Sequence, residues 1–224
     1  MDKVKYYISI YRGDGTGMLT LYITRHGETV WNTEKKLQGW KDSELTENGK
    51  RNARLLGERL KEVDFTAVYS SPSQRTLATA ELILGDKQIA ILQDENLREI
   101  NMGDWEGQTH DFLKETYPQA YQAFWNTPDL YRPESGESFE QLGSRVVYFL
   151  ERLKREQADG NVLIVTHTVF IKALLLHMKK LQLENFWEGA YIHDTCLTMI
   201  ELSDNEINIL LEGDVSHRGE VTFH

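Results

Sequence analysis

The side chains best placed for chemistry stand at the ends of two apolar runs. Thr24-Arg25-His26-Gly27-Glu28-Thr29 closes the run from Leu19 to Thr24, and Thr166-His167-Thr168 closes the run from Val162 to Thr166. In a parallel sheet, ligands bind just beyond the carboxyl ends of the strands. Two histidines in such positions can converge on one point. A lone histidine there more often satisfies a strand-end backbone group, but the matched placement, with Arg25 adjoining one ring, points to a shared site. A metal centre built from His26, His167 and His193 with Glu28 is the rival use of these side chains. No HExxH or comparable ligand spacing supports it, and arginine beside the histidines repels a cation. The expectation is a site without metal or cofactor.

Six strands are expected: Leu19 to Thr24, Ala67 to Ser70, Ile89 to Leu92, Val162 to Thr166, Leu197 to Leu202 and Ile207 to Leu211. Amphipathic helical stretches lie between them. Residues 47 to 62 place Ala53, Leu56, Leu60 and Val63 at or just past helical spacing. Ser71-Pro72 reads as a cap with proline at the first helical position. Ser138 and Gln141 form a capping-box pattern ahead of Leu142, Val146, Phe149, Leu150 and Leu153, and a further helix is expected from about Val169 to Met178. Strands alternating with helices give an α/β fold, a three-layer α/β/α sandwich with a mostly parallel central sheet. Residues 104 to 137, rich in aromatics and holding three of the four prolines, read as a helical insertion beside the sheet edge that carries the site. Residues 1 to 17 read as an N-terminal extension, an edge strand plus a flexible turn ahead of Met18. Their glycine cluster lacks the GK[ST] ending of a phosphate loop and precedes a strand, not a helix.

Composition limits the partners. The 224 residues favour one domain, 1 to 224, and 40% hydrophobic with 27% charged residues is an ordinary globular balance. The single cysteine, Cys196, fits a reducing, cytoplasmic compartment. No apolar stretch approaches a membrane span, and no signal peptide is expected. A net charge of −10 argues against nucleic-acid or anionic-membrane surfaces. It also means that a site for an anionic ester must gather positive charge locally.

Arg25-His26-Gly27-Glu28-Thr29 followed by Trp31 and Asn32 resembles the opening motif of the histidine phosphatase superfamily, which includes cofactor-dependent phosphoglycerate mutases. The resemblance continues, in family order, through Leu37-Gln38-Gly39-Trp40, Leu45-Thr46-Glu47-Asn48-Gly49, Tyr69-Ser70-Ser71-Pro72 and Arg75-Thr76. It returns at Leu97-Arg98-Glu99, Gly103-Asp104-Trp105-Glu106-Gly107, Gly136-Glu137-Ser138 and Val165-Thr166-His167, spanning about Met18 to Leu202.

The resemblance implies a phosphomonoesterase acting on a small-molecule phosphate ester. His26 would attack phosphorus through a neutral ring nitrogen, its other nitrogen donating to a carbonyl such as that of Gly27. Arg25 and Arg75 would grip phosphoryl oxygens and His167 would add a donor, with Asn32 and Gln38 as neutral donors nearby. Glu99 matches the proton donor, which needs a raised pKa near neutral pH. Glu28 and Glu106 read as scaffold hydrogen-bonders, and His193-Asp194 as a loop at the rim. Thr168 departs from the glycine most relatives carry, and could narrow the site or supply a hydroxyl to phosphate. The rival readings are a phosphoglycerate mutase and a non-enzymatic phospho-ligand binder. The short aromatic stretch after Glu99, with only His110, Lys114 and Arg132 as basic residues, favours hydrolysis. Among Phe112, Tyr117, Tyr121, Phe124, Trp125 and Tyr131, one or two are expected to face the pocket.

Overall fold

A computed structural model describes residues 17–203 and 206–219. Residues 1 to 16, which include all of the glycine cluster but Gly17, lie outside them. The strands are β1 (Leu19–Arg25), β2 (Phe65–Ser70), β3 (Ile91–Gln93), β4 (Gly160–Thr166), β5 (Leu197–Leu202) and β6 (Ile207–Asp214). The helices are α1 (Val30–Thr33), α2 (Glu47–Arg59), α3 (Gln74–Leu84), α4 (His110–Thr116), α5 (Pro118–Asn126), α6 (Phe139–Glu156) and α7 (Thr168–Lys179). One sheet runs β3-β2-β4-β1-β5-β6. β3, β2, β4 and β1 are mutually parallel, and β5 and β6 add two antiparallel strands.

Alternation along the strands assigns the two faces. Val162 and Ile164 join Leu21, Ile23 and Tyr69 in one core with α6 and α7. Leu163 and Val165 join Val68 in a second core with Ala53 and Leu56 of α2 and Ala80 and Ile83 of α3. The sheet is therefore covered on both sides, which makes the three-layer sandwich. α6 begins with the expected capping box: Gln141 N donates to Ser138 Oγ (3.3 Å) and Ser138 N to Gln141 Oε1 (2.8 Å). Among the described residues no helix is long and apolar enough to cross a membrane.

Three local expectations shift. The third strand starts at Ile91, two residues late, because the chain leaving α3 first turns through Gly85. Ser71-Pro72 does not open α3. Ser73 is the residue before the first turn and makes no side-chain cap. Instead Asp42, from a distant loop, accepts from Gln74 N (2.5 Å) and Arg75 N (3.3 Å), a carboxylate at the positive end of the helix. The insertion packs less on a sheet edge than on the α6–α7 layer. Phe124 lies 5.0 Å from Phe139 at the start of α6 and 5.5 Å from Trp187, centroid to centroid.

Candidate active site

The β1–β4 register aligns Arg25 with Thr166. His26 and His167 are each the next residue, and their ring centroids are 5.3 Å apart. Beside them opens a cavity of about 980 Å³ lined by Arg25, His26, Asn32, Gln38, Arg75, Glu99 and Thr168, among others. His167 is fully buried beside His26.

His26 is 3% exposed, and its Nδ1 stands 2.8 Å from the carbonyl of Gly27. A carbonyl only accepts, so Nδ1 carries the proton and Nε2 keeps its lone pair. Burial first, and then the charges of Arg75 and Arg25, hold the ring well below its ordinary pKa, so it is neutral near pH 7. Gly27 is required by close approach: a Cβ there would lie 2.8 Å from the carbonyl oxygen of Gly49.

Arg75 is 1% exposed. Its Nη1 donates to Lys41 O (2.7 Å) and Asp42 Oδ1 (3.0 Å), and its Nη2 to Gly39 O (2.8 Å) and His167 Nδ1 (3.1 Å). Arg25 donates from Nη1 to Ile192 O (3.0 Å). In both arginines Nε is buried without a partner. An unmatched guanidinium N–H is costly in a dry site unless an anion meets it.

Glu99 is 8% exposed. Its carboxylate accepts from Ile100 N (2.9 Å) and from Val169 N and Phe170 N in the first turn of α7 (3.1 and 3.3 Å). Burial raises its pKa, while the backbone amides of Val169 and Ile100 and the two arginines hold the rise back. That combination suits a carboxyl that must both give and take a proton.

Asn32 accepts Thr29 N at Oδ1 (3.0 Å), which leaves its amide N–H₂ as the end free for the cavity. Gln38 is buried, and its Oε1 has no partner. Thr168 forms part of the wall at the start of α7. His193 and Asp194 sit in the loop before β5 and also line the cavity, with Asp194 accepting from Asn52 (3.2 Å). Glu28 accepts from Thr46 Oγ1 (2.6 Å), and Glu106 accepts from the backbone amides of Trp40 (2.8 Å), Lys41 (3.2 Å) and Met102 (3.2 Å), so both are scaffold groups. Of the six insertion aromatics, Tyr121 and Trp125 reach the cavity; Phe124 and Tyr131 are core, Tyr117 packs against it, and Phe112 faces outward.

His167 Nδ1 lies 3.1 Å from Arg75 Nη2, and its Nε2 lies 2.8 Å from Ser71 Oγ. Sequence reading missed Ser71, Asp42, Trp187 and Lys172. Lys172 lies within the apolar helix α7, only 5% exposed, lines the cavity, and donates to Glu188 O (2.7 Å) and Ala190 O (2.8 Å). Local positive charge is thus gathered from separate segments, with Arg25 at the end of β1, Arg75 in α3 and Lys172 in α7. Only the adjoining Arg25 was visible as a local signal.

Residues 21–215 match the histidine phosphatase superfamily (branch 1), and the chain belongs to that family. It is 29% identical to phosphoserine phosphatase 1 of Hydrogenobacter thermophilus, over 91% of this chain and 96% of that protein. It is 33% identical to phosphoglycerate mutase-like protein 4 of Arabidopsis thaliana, over 91% of this chain and 88% of that protein. Among solved structures it resembles YhfR of Bacillus stearothermophilus, with a TM-score of 0.87, 45% identity, and coverage of 89% and 98% of the two chains.

Proposed function

We propose that the protein hydrolyses small phosphate monoesters through a phosphohistidine on His26. The observation that carries this is the His26 tautomer, with Nδ1–H on Gly27 O and the Nε2 lone pair left free beside two arginines whose Nε–H groups are unmet. Nε2 attacks phosphorus, and the bond to the ester oxygen breaks. Glu99, protonated, gives its proton to that oxygen as it leaves. The resulting carboxylate then takes a proton from water as the water oxygen bonds to phosphorus and the N–P bond breaks. Arg25 and Arg75 hold the phosphoryl oxygens with charge-assisted hydrogen bonds. Asn32 and Gln38 contribute neutral contacts, Thr168 supplies a hydroxyl at the wall, and His167, beside Arg75, adds a donor to the phosphoryl oxygens.

Arginines supply the positive charge that a metal would otherwise bring, so the reaction is metal-independent and needs no cofactor. The acidic chain suits small substrates, not nucleic acid. The buried thiol Cys196 fits the cytoplasm. The mutase-like relative supports a second reading, in which the phosphoryl group is passed back to a sugar acid. A panel of phosphate monoesters, assayed with and without chelator and with 3-phosphoglycerate as a mutase substrate, separates the two. Chelator-resistant release of orthophosphate is expected. Isomerisation without release would establish the mutase, and tight binding without turnover the non-enzymatic binder.

A further inference from the structure

One loop holds Arg25 at both ends. The Arg25 carbonyl accepts from Thr195 N (3.0 Å), and its Nη1 donates to Ile192 O (3.0 Å). With the backbone and the far end of the guanidinium both fixed, the direction of the buried, unmet Nε–H is fixed too. The loop turns at Asp194 and Thr195, closed by Cys196 N on His193 O (3.3 Å). Thr195 sits in that turn with a φ of 48°, in the left-handed region, where a β-branched residue is a genuine outlier. It is also fully buried. Backbone strain of this kind persists only where the surroundings over-determine it. The surroundings here come from distant parts of the chain. Arg218, in the single turn Ser216–Arg218 after β6, donates from Nη2 to Thr195 Oγ1 (3.1 Å) and stands 3.2 Å from Asp194 Oδ1. Asn52 of α2 donates to the other oxygen of that carboxylate, Oδ2 (3.2 Å). The Arg218 and Asp194 side chains are only 13% and 16% exposed, so salt screens the pair weakly.

We propose that Arg218 is a positioning residue for the phosphoryl site: it holds the Asp194–Thr195 turn in its left-handed form, and that turn, through Thr195 N and Ile192 O, sets the Arg25 guanidinium against the anion. Arg218 acts through the turn and makes no contact with substrate. The proposal rests on reading the cavity as the phosphoryl-transfer site. It gives a use to a threonine in a conformation that glycine would adopt freely: its hydroxyl is the handle that Arg218 grips. It also ties the end of the described chain to the residue beside the proposed nucleophile.

The test is a double-mutant cycle on the full chain, read by isothermal titration with orthophosphate and by kcat/KM for a small alkyl phosphate. Arg218→Gln should weaken orthophosphate about ten-fold, the scale of one released strained residue, and Arg218→Lys, which keeps the charge against Asp194, should recover most of that loss. In a Thr195→Gly background, where the left-handed turn needs no clamp, the same Arg218→Gln change should cost no more than about three-fold. A full ten-fold loss in both backgrounds overturns the proposal, since Arg218 would then act by its charge alone. So does an Arg218→Gln protein whose melting temperature falls while orthophosphate affinity and kcat/KM stay unchanged, as a merely structural ion pair would behave. If Arg218→Gln does not fold, Arg218→Lys in the two backgrounds decides by the same comparison: a loss in the parent that disappears with Thr195→Gly supports the clamp, and an equal loss in both, or none in either, overturns it. A parent that neither binds orthophosphate nor turns over defeats the phosphatase reading and this proposal with it, whereas an active parent indifferent to Arg218→Gln defeats the proposal alone.

Discussion

His26 and His167 each stand one residue beyond the paired positions Arg25 and Thr166 of two neighbouring parallel strands, and His26 N donates to Thr166 O at 3.0 Å. The pairing sets the 5.3 Å between the rings without help from any loop. Strands thus hold the proposed nucleophile, and the connecting segments supply much of the cavity wall. His26→Ala should abolish turnover, while the parent accumulates one acid-labile phosphate per chain during reaction. Rapid quench and mass spectrometry locate it, and phosphate on any other residue would sink the mechanism.

Glu99 makes a prediction about leaving groups and pH. Glu99→Gln should slow alkyl phosphates about a hundred-fold or more and aryl phosphates with good leaving groups far less. Burial raises the carboxyl's pKa, so for alkyl esters kcat should fall as pH rises and Glu99 loses its proton. In the Gln variant that alkaline fall should vanish. An equal loss on both ester classes argues against Glu99 as the acid.

Much of this site can be read in the sequence, and the parts that cannot share a physical reason. His26 and His167 announce themselves because strand ends are local signals and the two runs before them are strongly apolar. The capping box at Ser138 and Gln141 is local too, and the structure holds it. Ser71 was misread because a serine before proline at a strand-to-helix turn usually caps. Asp42 takes that duty from a loop whose distance along the chain no periodicity reveals. Lys172 interrupts an apolar helix and looks like a solvent-facing residue, until tertiary packing turns it toward the carbonyls of Glu188 and Ala190.

Arg75→Lys tests whether a planar fork is needed. Lysine can replace neither the four internal hydrogen bonds nor the Nε–H. Charged hydrogen bonds are worth about 1.5–3 kcal/mol each, so orthophosphate inhibition should weaken at least about ten-fold. Isothermal titration with orthophosphate measures it. Unchanged affinity would mean that Arg75 serves the scaffold alone.

The two histidines should also shape stability against acid. Their folded pKa values are held well below the ordinary 6.5, largely by burial. Below that value the unfolded chain binds protons that the folded chain refuses, so their contribution is present above about pH 6.5 and is lost as pH falls. Each steepens the dependence by at most about 1.4 kcal/mol per pH unit. Denaturant titrations of the parent and His167→Asn at a series of acidic pH values should give a shallower fall for the variant. Parallel curves would show that His167 does not resist protonation.

The cavity wall makes the last prediction, about which esters are preferred. Tyr121 and Trp125 of α5 and Trp187 from the loop after α7 line the cavity. Trp125 and Trp187 are nearly stacked, 4.7 Å apart with planes inclined by 34°. The indole N–H of Trp187 is spent on Phe124 O (2.7 Å), so that residue offers a ring face with no free polar handle. The cavity is also lined by Lys35, Lys36, Asp111 and Lys114, but the aromatic part of the wall selects weakly, since each buried methylene contributes about 1–3 kcal/mol to discrimination. The enzyme should accept several monoesters and favour apolar or aromatic leaving groups over highly charged sugar phosphates. Trp125→Ala should therefore lower kcat/KM for naphthyl phosphate about ten-fold while leaving a small alkyl phosphate within about two-fold, because only the larger group reaches the ring. Ranking a substrate panel by kcat/KM in both proteins checks this. A panel dominated in the parent by one polar phosphometabolite would instead make the insertion a dedicated recognition cap.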